Sequence, residues 1–160
     1  MNELNQFKKT SPKEQFKSIQ ILHMALMVGM ILIFVFLWFS NPIVINMNPL
    51  DGLFSLILPF VMLAVIGGGI ALYNKLKSNT NAQATLMQKM WEYRKISILR
   101  WSLLEGASLV SIIVFFFGEP NISVLFAFTL GLFAFSVFRP TVDGFGEDFG
   151  LNQQERNQLQ

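Results

Sequence analysis

A chain of 160 residues has room for one domain, but 52% apolar and 14% charged residues place this one well outside the soluble range. It contains no cysteine, which excludes disulfides, thiolate metal sites and thiol nucleophiles, and a net charge of +2 is too small to recruit nucleic acid. The composition points to an integral membrane protein whose side-chain chemistry rests on one histidine and a few carboxylates.

Met1 to Thr10 forms a polar arm. Ser11-Pro12-Lys13-Glu14 then supplies a helix N-cap, a proline at the first helical position and a glutamate three residues after the cap. A helix is predicted from Pro12 through Phe39, made of an amphipathic extension over about residues 12–19 and an apolar span over about 20–39 interrupted by His23. At 1.5 Å per residue the run from Ile21 covers roughly 28 Å, close to the thickness of a hydrocarbon core. The run is too long for a signal-peptide core and no small-x-small cleavage pattern follows Phe39, so the span is expected to be retained.

Residues 40–51 (SNPIVINMNPLD) read as a turn-rich connection with one acidic and no basic residue. A second span, about 52–73, is apolar apart from Ser55 and carries Gly67-Gly68-Gly69. Asn79-Thr80-Asn81 breaks the pattern before an amphipathic extension over about 82–95, with Leu86, Met90 and Tyr93 at helical spacing, runs into a third span at about 96–117. Gly118-Glu119-Pro120-Asn121 turns the chain into a fourth span, about 122–138, which Arg139-Pro140-Thr141 stops. The tail 139–160 offers Phe145, Phe149, Leu151 and Leu159 for docking against the bundle.

All twelve Lys and Arg residues lie in the N-terminal arm and its helix, in the 74–100 region, or at and beyond Arg139. By the positive-inside rule both termini are expected in the cytoplasm, with Asp51 and Glu119 on the opposite side and Trp38 and Trp101 in the aromatic belts.

Glu105 is a carboxylate inside the third span, where such a group usually faces the bundle interior. His23 lies at a matching depth in the first span, and Gln20 and Arg100 are further candidate partners at that level. Two roles are open: a proton- or cation-binding carboxylate with His23 as partner, or a register-fixing Glu held by nearby hydroxyls and by Arg100. Helix-packing positions are Gly67, Gly68, Gly69, Gly106, Ser108 and the small-xxx-small pair Ala127 and Gly131. His23, Met27 and Met30 share a face, a donor set that suits Cu(I), although methionines on an apolar helix ordinarily serve packing; no metal or cofactor is expected.

The stretch YRKISILRWSLLEGA, from Tyr93, together with Arg139-Pro140-Thr141 and Asp148-Phe149-Gly150-Leu151, resembles a widespread group of small four-span bacterial inner-membrane proteins of uncharacterised activity. That resemblance implies the layout and no chemistry. A glycine-rich span followed by a span with a buried carboxylate is also similar to the hairpin of the proton-translocating c subunit of rotary ATPases. It implies that Gly67 to Gly69 match the glycine-rich helix and Glu105 the ion-carrying carboxylate, although the loop here is longer and lacks an Arg-Gln-Pro turn.

The expected fold is therefore an all-α, single-domain membrane bundle of four helices, up-down-up-down, with both termini cytoplasmic in a bacterial inner membrane. The expected function is non-enzymatic: an accessory or scaffold subunit of a larger membrane complex, or a homo-oligomer, acting through helix-helix contacts. The alternative is a proton or cation pathway using Glu105 with His23. The lipid bilayer and other membrane chains are the expected partners, and nucleic acid is not.

Overall fold

A computed structural model describes residues 11–41, 43–80 and 83–159. The polar arm Met1 to Thr10, with Lys8 and Lys9, lies outside the described residues, as do Asn81 and Ala82 at the expected break. The described chain is all-helical: α1 (Pro12–Ser40), α2 (Leu53–Ser78), α3 (Leu86–Phe117), α4 (Ile122–Val137) and two short helices, α5 (Val142–Asp148) and α6 (Gln153–Asn157). Three of these are long and apolar enough to cross a membrane, or four when α4 and α5 are taken as one span bent by 78°.

The first helix starts where its capping residues dictate. Ser11 Oγ accepts from the Glu14 amide, and the Ser11 amide donates back to Glu14 Oε2, both at 3.3 Å. Its enclosed apolar residues, Phe16, Ile19 and Met30, fall with His23 on one narrow stripe. The most apolar part of the helix is only 11% buried, a distribution that water would not tolerate and lipid does.

The second helix runs five residues past the expected end of its span, because Asn74 to Ser78 continue it as a polar last turn whose Lys75 and Lys77 sit favourably near the helix C-terminus. The third starts at Leu86, not near residue 82. Thr85 is the reason: its amide donates to Gln88 Oε1 at 3.0 Å, making a helix start that the hydrophobic spacing alone runs past. The fourth is capped by Asn121, whose side chain accepts from the Ser123 amide at 2.8 Å.

α3 is the central helix, with α1, α2 and α4 all packed against it. α2 and α4 also pack on each other, whereas α1 leans chiefly on α3 and lightly on α4. Phe16, His23 and Phe34 of α1 meet Tyr93, Trp101 and Phe115 of α3 in the same order along both helices. His23 and Phe34 meet Phe135 and Phe128 of α4 in reverse order. At the crossing of α2, α3 and α4, Gly131 leaves no room for a side chain: a Cβ there would stand 2.8 Å from Met62 Cε and also strike Ser108 Oγ.

Trp101 is not an interfacial belt residue. Trp101, Leu104, Ser108 and Ile112 recur every three or four residues on the enclosed face of α3, so its ring is fully buried and its indole N–H donates to the Phe138 carbonyl at 3.2 Å. Trp38 stays 42% exposed.

The α1–α2 and α3–α4 connections are stitched together. The Asn46 amide donates to Pro120 O at 2.8 Å and the Ile122 amide to Asn46 O at 3.0 Å. The buried Asn121 amide group donates to Asn48 O and Asp51 O, and the Phe54 and Ser55 amides at the start of α2 each donate to Glu119 Oε2 at 3.1 Å. Glu119 thus caps a helix from the far side of the sequence, its first bonded amide 65 residues earlier at Phe54, and Gly52, at φ 100°, is required beside it because a Cβ there would collide with the carboxylate.

Candidate functional site

The polar residues that the sequence singles out divide into two places. Glu105 lies on α3 at the edge of its enclosed face, partly exposed, and makes no hydrogen bond or ion pair among the described residues. Counted from the His23 and Trp101 contact, one helical turn along each helix brings Glu105 level with Met27. His23 is 2% exposed, its ring stacked on Phe135 at 4.6 Å and tilted against Trp101 at 4.7 Å, with Nδ1 buried and unpaired. The histidine is therefore enclosed by aromatic rings. Gln20 does not turn to either residue, since its Nε2 donates to Pro140 O at 3.3 Å and ties α1 to the end of α4.

The glycine positions also divide. Gly69 is buried, and a Cβ there would stand 3.4 Å from Arg100 Cγ; Gly131 and Ala127 are buried in the three-helix crossing with Ser108. Gly67, Gly68 and Gly106 do not pack within the chain, because the helical period turns them outward, and nothing stands within 4 Å of where their Cβ atoms would be.

Arg100 belongs to the second place. It leaves α3 one residue before Trp101, passes over Gly69, and sets its Cζ over the Tyr73 ring, 4.1 Å from the ring centre, and over the Phe138 ring, 4.3 Å from its centre. Both rings stand where an apolar run ends, at the last turns of α2 and the C-cap of α4. Among the described residues no carboxylate pairs with this cation. Asp148, the acid whose charge reaches it, is already occupied: Tyr73 Oη donates to Oδ2 at 2.6 Å and Lys77 Nζ to Oδ1 at 2.7 Å. Arg100 Nε is buried without a partner, while the two terminal nitrogens, likewise unbonded among the described residues, are not closed off.

Tyr73, Lys77, Phe138 and Asp148 were not singled out by the sequence. Tyr73 and Lys77 at i, i+4 on one face of α2 are a weak signal, and nothing local announces that a tail carboxylate folds back onto them. What does bring it back is the docked tail. Phe145 is fully buried, 4.7 Å from the Tyr93 ring and 6.0 Å from the Phe16 ring, and Phe149, Leu151 and Leu159 are buried with it. Glu155 lies 3.7 Å from the buried Lys89.

Among the described residues no group of three or more His, Cys, Asp or Glu could hold a metal ion. Compared with protein-family models, with curated proteins and with solved structures, the chain matches none of them.

Proposed function

We propose that the chain is a non-enzymatic integral protein of a bacterial inner membrane, crossing it four times up-down-up-down with both ends cytoplasmic, that works as an accessory or scaffold subunit through contacts between its helices and those of other chains. The supporting observation is the outward face of α2. Gly67 and Gly68 stand there with the exposed Ala64 and Ala71, and among the described residues nothing lies within 4 Å of where a Cβ on either glycine would be. A glycine inside a helix costs about 1 kcal/mol relative to alanine, and here nothing within the chain uses the space it leaves. A neighbouring helix from another chain would use it, because small residues let backbones approach closely in lipid. The exposed pair Ser102 and Gly106 offers a similar strip on α3.

The native mass of the protein in mild detergent, with co-purifying chains identified, tests this reading. A defined oligomer or a complex with another membrane chain is the expected result; a lone monomer at membrane-like concentration overturns it. The unpaired carboxylate of Glu105 favours a second reading, a proton or cation pathway with His23, and one substitution separates the two. Under the accessory role Glu105→Gln leaves native mass and yield unchanged and proteoliposomes carry no ion flux with either chain. Flux in the parent chain that the substitution abolishes would establish the pathway instead.

A further inference from the structure

The guanidinium of Arg100 is held more firmly than a membrane-boundary cation needs. Two aromatic ring centres stand within 4.3 Å of its carbon, Gly69 clears its stem, and Asp148, the acid whose charge reaches it among the described residues, is taken by Tyr73 and Lys77. Lys77 balances Asp148, so the charge of Arg100 is left over. A planar guanidinium matches the oxygens of a phosphate with two parallel N–H donors, and here Nε is buried while the two terminal nitrogens are left open to make them. Its depth agrees, since the rings that hold it mark the ends of two apolar runs, the level at which lipid headgroups begin.

We propose that Arg100, clamped by Tyr73 and Phe138, is a receptor for a phosphate group at the cytoplasmic membrane surface, occupied by the phosphodiester of an anionic phospholipid. The proposal needs the helices to lie in a membrane with this end at the headgroups, but not the partner chains of the preceding section, so either can fail alone.

The test uses the full chain, purified and delipidated in a neutral detergent, titrated with phosphatidylglycerol, with phosphatidylcholine of the same chain length, and with inorganic phosphate. Retained lipid is counted by native mass spectrometry and stabilisation is read as the rise in melting temperature. The expected result is one tightly held phosphatidylglycerol, with affinity falling about tenfold or more in Arg100→Gln, as loss of a charge-assisted pair implies. Lys17→Gln, which removes an exposed charge on α1, leaves it unchanged. If inorganic phosphate stabilises the parent chain as well as the lipid does, and Arg100→Gln abolishes it, the phosphate site stands and its source is free anion. Should Arg100→Gln fail to fold, Arg100→Lys decides: it keeps the charge but loses the clamped fork, and about threefold weaker binding is expected. Equal binding in Arg100→Gln, or in Arg100→Lys where that is the variant that folds, overturns the proposal.

Discussion

Gly131 and Gly67 carry the same residue type at comparable places in two apolar helices and have opposite consequences. At Gly131 any side chain runs into Met62 and Ser108, so Gly131→Val should cost about 1 to 3 kcal/mol as overpacking. At Gly67 the space is open, and Gly67→Ala should leave the isolated protein as stable or raise it by up to about 1 kcal/mol through helix propensity. Thermal unfolding of both variants in detergent checks this, and a Gly131→Val chain as stable as the parent would refute the three-helix crossing. The spacing of Ala127 and Gly131 made their pairing legible, whereas the same rule applied to Gly67, Gly68 and Gly106 names residues that face outward. Sequence spacing finds small faces; which face a neighbour covers depends on the crossing of helices far apart in the chain. Trp101 shows the same gap, since its place beside Arg100 suggests an interface and only the packing of α1 and α4 puts it inside.

Among the elements, the tail has the least sequence support and a large share of the enclosed side chains at its end of the bundle. Its four apolar residues signal docking, but the carboxylate that reaches Tyr73 and Lys77 carries no local mark. The long apolar helices were readable because length and hydropathy alone define them; the start of α3 was not, since its cap residue lies within a continuous polar stretch. Phe145 is the anchor of the docked tail, packed on Phe16 and Tyr93. Removing a ring that is wholly enclosed costs about 3 to 5 kcal/mol, so Phe145→Ala should open residues 142–157 while α3 and α4 stay closed. Amide hydrogen exchange resolved along the chain reports this directly: faster exchange confined to the tail is expected, and unchanged tail protection rules the anchor out.

For the molecule as a whole, the placement of charge makes a topological prediction that is easy to test because the chain has no cysteine to remove. Met47→Cys sits at an exposed position in the first connection and Gln154→Cys at an exposed position in α6. In intact cells a membrane-impermeant maleimide should label the first and reach the second only after the membrane is permeabilised. The reverse pattern would invert the orientation, and labelling of both would show an odd number of crossings. That expectation rests on the placement of the twelve basic residues alone.

The cap that Glu119 places on α2 bears on the order in which this protein is made. A ribosome releases residues 53–55 well before residue 119, so the first amides of α2 are made without their acceptor. The helix α1, the one partner already made, leans mainly on α3, which is also still to come. The first two helices are thus unfinished until the turn between α3 and α4 arrives, and it is Glu119 in that turn that completes the start of α2.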